Sequence, residues 1–144
     1  MNFTFINNNI FIIDEAFRSP NLNPESKRLL LLISESEADN ELSMAFLHKI
    51  LAAIRCEPNQ DTWLHAVSAD KKFSISEIRR SKYSNTVIIF GIEPPSLGIH
   101  VQMKKYVFTA IADTSYLYCD SLEEIEKHTP LKAALWDALK KQLT

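Results

Sequence analysis

The sequence predicts an α/β protein in which helices cover both faces of a mainly parallel sheet. Two continuous apolar runs, RLLLLIS at residues 28–34 and TVIIFGI at residues 86–92, are typical of central parallel strands. Helical and strand patterns alternate between them, which is the βαβ order with right-handed crossovers. The 144 residues suit one domain. We therefore predict a three-layer α/β/α sandwich at residues 29–144, with four or five strands.

The first 28 residues form a separate predicted unit. Phe3 and Phe5 precede three asparagines, and an apolar run follows at residues 10–13, so this unit is either a hairpin or a mobile arm. Pro20 and Pro24 lie in a polar stretch that reads as a loop before the domain.

Residues 40–56 carry the strongest helix pattern in the chain. Their apolar residues recur at spacings of three and four, which predicts an amphipathic helix with its apolar stripe turned inward. The predicted stripe contains Leu42, Phe46, Ile50, Ala53 and Ile54, with Leu47 and Leu51 beside it.

The remaining elements complete the sheet and its helices. Residues 62–68 and 115–119 read as strands, and residues 74–81 as a short helix with Ile75 and Ile78 inward. The run YVFTAI before the Ala112-Asp113-Thr114 turn either pairs as a hairpin or extends the sheet separately. At the C-terminal end, Asp120 or Ser121 caps a helix, and Pro130 suits the first turn of the next one.

Composition excludes several classes of function. The formal charge of −2 creates no global attraction to nucleic acid or anionic lipid, so we expect weak or no direct nucleic-acid binding and no membrane partner. Cys56 and Cys119 lack the spacing of a zinc site and read as two buried thiols. With two glycines, the chain carries neither a Walker loop nor a GxGxxG loop, and we predict no cofactor and no metal. The start of the sequence lacks a signal-peptide pattern, from which we expect a cytoplasmic location.

The stretch NTVIIFGIEPPSLG is the main candidate for chemistry. Open α/β sheets place their sites at the carboxyl ends of parallel strands, and Glu93 follows such a strand, just before Pro94 and Pro95. Glu93 is thus positioned as a catalytic acid would be. The interpretation we favour is simpler: prolines end the strand and the carboxylate lies in water.

Two motifs together resemble a known family. TVIIFGIEPPSL, followed by DSLEEIEKHTPLKAALWDAL, is similar to the psi subunit of the bacterial DNA polymerase III holoenzyme. There a strand ending in glycine, a proline-containing loop, a Ser-Leu pair and a helix with Ala-Leu-Trp recur in that order. The resemblance implies a uracil-DNA glycosylase-like fold. It also implies binding to clamp-loader or other replisome subunits.

The glycosylase relatives of that family indicate what each motif residue would do. The resemblance matches Gly91 and Pro94 to the water-activating loop, where Glu93 replaces an aspartate and Ser96 a histidine. Ser121 and Leu122 retain a Ser-Leu pair, but the histidine that stabilises the departing base is missing. Losing such a stabiliser lowers the rate by about 10²–10³. We therefore expect a scaffold without the chemistry.

Two functions follow as hypotheses. The first is a non-enzymatic, psi-like replication accessory protein that bridges the clamp loader and partner proteins. The alternative is a uracil-DNA glycosylase-like base-excision enzyme, or a degenerate nucleic-acid-binding relative. It would use Glu93 to orient water and Ser121 with Leu122 at a strand-wedging loop, but Pro95 offers no aromatic ring to stack the base.

Overall fold

The computed structural model describes residues 27–68 and 74–143, and this part contains five strands and five α-helices. The strands are β1 (Leu29–Ser34), β2 (Thr62–Val67), β3 (Thr86–Phe90), β4 (Thr109–Ile111) and β5 (Thr114–Cys119). The helices are α1 (Glu35–Ala38), α2 (Glu41–Ala53), α3 (Ile75–Ser81), α4 (Leu122–Lys127) and α5 (Thr129–Leu143), and a 3₁₀ helix covers Pro94–Leu97. The predicted arm at residues 1–28 lies outside the described residues, except for Lys27 and Arg28.

All five strands join one sheet in the order β2-β1-β3-β5-β4. The pairs β1–β2, β1–β3 and β3–β5 are parallel, and the short β4 runs antiparallel to β5 at the edge. The prediction of a mainly parallel sheet is confirmed. Of the two arrangements open for the YVFTAI run, the hairpin forms, and Ala112 makes its turn at φ 55°.

Helices and loops cover both faces of the sheet. Successive side chains of β1 point to opposite faces, so this strand contributes to both buried clusters. Leu29, Leu31 and Ile33 pack with residues of α2, α4 and α5 in one buried cluster. Leu30 and Leu32 pack in a second cluster with α3 and the loop that follows the 3₁₀ helix. The architecture is therefore an α/β sandwich.

The connecting helices α2 and α3 lie on opposite faces of the sheet. The connection from β1 to β2 moves along the sheet in one direction, and the connection from β2 to β3 returns past β1. Two crossovers of the same hand that run in opposite directions place their helices on opposite faces, as found here.

The strand β3 ends two residues before the predicted boundary at residue 92. Gly91 adopts φ 71°, which turns the chain out of the extended conformation directly after Phe90. The predicted strand was two residues too long because Gly91 and Ile92 continue the apolar run, and an apolar run does not show where the backbone turns.

The buried face of α2 also differs from the prediction. Leu42 is 74% exposed, whereas Ser43, Leu47 and Leu51 are buried against the sheet. Apolar residues occupy two adjacent stripes of this helix, and the sheet contacts the one that begins at Ser43. The stripe containing Phe46, Ile50 and Ala53 lies towards α5 instead.

Candidate functional site

The loops that follow β3 and β5 meet at the carboxyl edge of the sheet. Phe90 pairs with Cys119, and the N–H of Gly91 donates to the Cys119 carbonyl at 2.9 Å. A Cβ on Gly91 would come within 2.8 Å of the Ser121 Cβ. Position 91 requires glycine for two reasons, its positive φ and its contact with the second loop.

The loop after Gly91 is rigid and presents Glu93 to solvent. Glu93 precedes the 3₁₀ helix, and its carbonyl accepts the N–H of Ser96 at 2.9 Å. Pro94 and Leu97 are buried, while Glu93 and Pro95 are exposed. The predicted acid thus lies at the edge of the site with its side chain in water.

Ser121 and Leu122 begin α4, and their roles there are structural. The Ser121 hydroxyl accepts the N–H of Glu124 at 3.2 Å, as an N-cap does, and the Leu122 side chain is fully buried. Of the two predicted caps, Ser121 is therefore the one used. The Ser121 oxygen, a candidate in the enzyme hypothesis, accepts a backbone hydrogen bond.

The carboxylate of Glu37 also caps the N-terminal end of α4. Glu37 of α1 is only 8% exposed, and it accepts the N–H groups of Leu122 at 3.2 Å and Glu123 at 2.9 Å. Together with Ser121 it satisfies the first three N–H groups of the helix, which have no intrahelical partners. This cap joins residues 85 positions apart and fixes the loop that carries Ser121.

Asp120 is the centre of a polar cluster beside this loop. Its two carboxylate oxygens take different donors: the Lys105 ammonium at 2.6 Å and the Tyr106 hydroxyl at 2.7 Å. The N–H of Asp120 donates back to the Tyr106 oxygen at 3.4 Å. The Asp120 carboxylate is thus held between two side chains that arrive from the loop before β4.

Tyr106 reaches Asp120 with an unusual backbone. Its φ is 63°, which is rare for a bulky residue, and its N–H donates to the Tyr118 carbonyl at 2.9 Å. Such strain persists where surrounding contacts hold the residue in place, and it concentrates at functional sites. The hydroxyl bond to Asp120 is one of those contacts.

Charge and burial shift the pKa values of this cluster. Burial raises the pKa of Asp120, but hydrogen bonds from Lys105 and Tyr106 and the Lys105 charge outweigh it, and the net pKa lies below its ordinary value. The pKa of Lys105 is raised, chiefly by its hydrogen bond to Asp120, and the Glu93 charge adds to the shift although burial opposes it. Burial, together with the hydrogen bond that the Tyr106 hydroxyl donates to Asp120, raises the pKa of Tyr106 well above its ordinary value. At neutral pH the cluster holds an anionic Asp120, a cationic Lys105 and a protonated Tyr106.

Tyr118 closes the cluster on the side of β5. The Lys105 ammonium lies 5.5 Å from its ring centroid, a cation–π distance. Burial raises the pKa of Tyr118, and the charge of Glu93 acts in the same direction. Glu93, Lys105, Tyr118 and Asp120 therefore share one electrostatic environment.

The sequence located this site only in part. The carboxyl-edge rule nominated Glu93 with Pro94 and Pro95, and the family resemblance added Gly91, Ser121 and Leu122. The structure brings the two loops together. The rule missed Lys105, Tyr106 and Glu37. The same rule applies to Asp120, which directly follows β5, but the residue was considered only as a cap.

Several thiol, imidazole and guanidinium groups lie outside this polar cluster. Cys56 and Cys119 are buried free thiols, as predicted, and burial raises the pKa of both. His65 bonds the Lys82 ammonium at 2.9 Å, and burial with the Lys82 charge lowers the pKa of its imidazole. Arg79 stacks on Tyr83 before β3, at the end of the strands opposite to Lys105.

In comparisons with known proteins, no family model, curated protein or solved structure matches the chain. Within residues 27–68 and 74–143, no helix has both the length and the apolarity to cross a bilayer. Over the same described ranges, His, Cys, Asp and Glu side chains form no group of three suited to a metal ion.

Proposed function

We propose that this protein is a non-enzymatic accessory protein of DNA replication. It acts in the cytoplasm, resembles psi in its motifs, and binds clamp-loader or other replisome subunits on a uracil-DNA glycosylase-like scaffold. The observation that carries the proposal is the contact between Gly91 and Ser121. It joins the two segments in which the resemblance lies, although they are 30 positions apart in sequence.

The chemistry of the joined loops favours binding over catalysis. Both oxygens of Asp120 have donors, the Ser121 hydroxyl caps α4, and Glu93 lies in water. A base-excision enzyme needs a carboxylate aimed at a bound nucleotide and a group that stabilises the departing base. The engaged side chains supply helix caps and an ion pair in place of these groups.

The loop itself suits recognition by a protein. Pro94, Pro95 and the 3₁₀ turn restrict its backbone, and buried Leu97 anchors it to the core. A rigid loop loses little conformational entropy when a partner binds, which favours affinity. The exposed Glu93 and Pro95 are then the contacts that a partner meets first, and the Glu93 charge selects a basic one.

Affinity capture tests this proposal. The tagged full chain, expressed in its own cells, is expected to recover clamp-loader subunits that mass spectrometry identifies. Glu93→Lys should reduce their recovery, because it reverses the charge of the contact loop. Glu126→Lys is the matched control, since Glu126 is exposed on α4 and should leave recovery unchanged. Absence of clamp-loader and other replisome subunits in mild salt refutes the proposal.

A further inference from the structure

An apolar groove runs between α2 and α5. Its volume is about 220 Å³, and its apolar lining consists of Phe46, Ile50, Ala53, Leu135, Trp136 and Leu139. Trp136 is 38% exposed, and Leu42 one turn before Phe46 is 74% exposed. Contiguous exposed apolar surface, unlike apolar residues scattered singly, often marks an interaction site.

The groove has a cationic rim. Lys49 of α2 and Lys132 of α5 line it, and the Lys132 ammonium lies 5.9 Å from the Phe46 ring centroid. An occupant that matches the groove therefore carries large apolar side chains next to acidic ones. Within the first 26 residues, the sequence IFIIDEAF at residues 10–17 has this composition.

The chain passes close to one end of the groove. The Arg28 guanidinium donates to the Arg55 carbonyl at 3.0 Å, just beyond the C-terminal end of α2, and the Lys27 ammonium donates to the Asn59 carbonyl at 2.6 Å. Ala53, which lines the groove, lies two positions before Arg55. The described chain thus begins near the C-terminal end of α2, while the Lys27 N–H donates to the Tyr83 carbonyl at 3.3 Å.

The length of the intervening chain is sufficient. Residues 18–26 span up to about 30 Å when extended. The groove wall from Ala53 to Phe46 is about 10 Å long, at 1.5 Å per helical residue. A tether of this length gives its attached segment an effective concentration on the order of millimolar, so that weak apolar contacts suffice for occupancy.

We propose that residues 10–17 of this chain bind the groove between α2 and α5. Phe11, Ile13 and Phe17 supply apolar anchors, and Asp14 with Glu15 faces the rim formed by Lys49 and Lys132. Binding covers Trp136 and closes the apolar stripe of α2 that the sheet leaves uncovered. The proposal is independent of the replication function, since it requires no other protein.

The test follows the indole N–H signal of Trp136 in the full chain by ¹⁵N NMR. Phe11→Ser with Ile13→Ser should shift this signal and increase its quenching by acrylamide. Phe3→Ser with Phe5→Ser is the matched control, since it removes two apolar residues of the same region outside the proposed segment, and should leave the signal in place. A peptide of residues 10–17 at millimolar concentration should restore the original signal of the first variant.

A charge swap provides a second readout. Lys49→Glu with Lys132→Glu should shift the Trp136 signal in the same direction as loss of the anchors, and adding Asp14→Lys with Glu15→Lys should reverse that shift. Identical Trp136 signals in the wild type and the Phe11→Ser, Ile13→Ser variant overturn the proposal. Protection of Trp136 that appears only as the chain dimerises also overturns it, because the occupant is then a second copy.

Discussion

Gly91 is the single residue on which the joined loops depend most. A side chain at this position meets both an unfavourable φ and the backbone of Ser121, whose Cα would lie 2.9 Å from the new Cβ. We expect Gly91→Ala to lower the free energy of unfolding by about 2–5 kcal/mol, the sum of the left-handed backbone cost and an overpacking cost.

Gly98 supplies a control for that prediction. Its φ is 79°, but a Cβ there would have only Ser74 Cα near it, at 3.9 Å. We therefore expect Gly98→Ala to lower the unfolding free energy by only about 1–2 kcal/mol. Urea unfolding of both variants measures the difference, and equal losses would show that the contact with Ser121 has no energetic weight.

Asp120 should make stability depend on pH in the acid range. Its pKa is lowered in the folded protein, so the unfolded chain binds the proton more tightly and ionised Asp120 stabilises the fold. This contribution is complete above the ordinary aspartate pKa of about 3.9 and is lost as pH falls through the folded value.

The variant Asp120→Asn tests this dependence. Its unfolding free energy should lie below that of the wild type at pH 7, and the gap should narrow as the pH falls to about 3. Urea unfolding at both pH values measures the gap. A gap of constant size would mean that the hydrogen bonds from Lys105 and Tyr106 do not favour the ionised form.

At the scale of elements, the short helix α4 depends on a cap from a distant part of the chain. Glu37 accepts two of its first N–H groups, and its negative charge lies at the positive end of the helix. We expect Glu37→Gln to lower the unfolding free energy by about 1–2 kcal/mol, because the amide has one acceptor oxygen and no charge.

Glu35 of the same short helix is the matched control for Glu37. Its side chain is exposed, so Glu35→Gln should change the unfolding free energy by less than about 0.5 kcal/mol. Chemical denaturation of the two variants compares them directly. A similar small effect for both would show that the cap contributes nothing to the fold.

Sequence patterns predicted the strands better than they predicted helix orientation. The runs in β1 and β3 are apolar throughout because both faces of a central strand are buried. This pattern predicts a strand whichever face each side chain points to. In α2 two apolar stripes adjoin, and only the sheet determines that Leu47 is buried while Leu42 is exposed. The position of a helix relative to its sheet is not contained in the periodicity of the helix.

The candidate site was predictable to the same limited extent. Strand order predicts the position of Glu93, because parallel strands end at one edge of the sheet, whereas Ser121 was nominated by the family resemblance. The bonds of Asp120 to Lys105 and Tyr106 depend on the path of the loop before β4. They also depend on the positive φ of Tyr106, which a tyrosine in the sequence does not predict. The capping role of Glu37 could not be predicted from local sequence either, since its partners lie 85 and 86 positions away.

At the scale of the molecule, the carboxyl edge of the sheet carries helix caps and an ion pair, and we propose that its exposed loop binds a protein partner. Among the described candidates of this edge, Glu93 is the residue available for base-excision chemistry, because Asp120 and Ser121 already serve structural roles. We therefore propose that the protein does not excise bases from DNA.

Release of uracil from DNA tests that claim most directly. Purified wild-type protein and Glu93→Gln are incubated with uracil-containing single- and double-stranded oligonucleotides, and abasic sites are quantified beside an active glycosylase. We expect no abasic sites above background with either protein. Base release by the wild type that Glu93→Gln abolishes would contradict it, and would make Glu93 a catalytic residue.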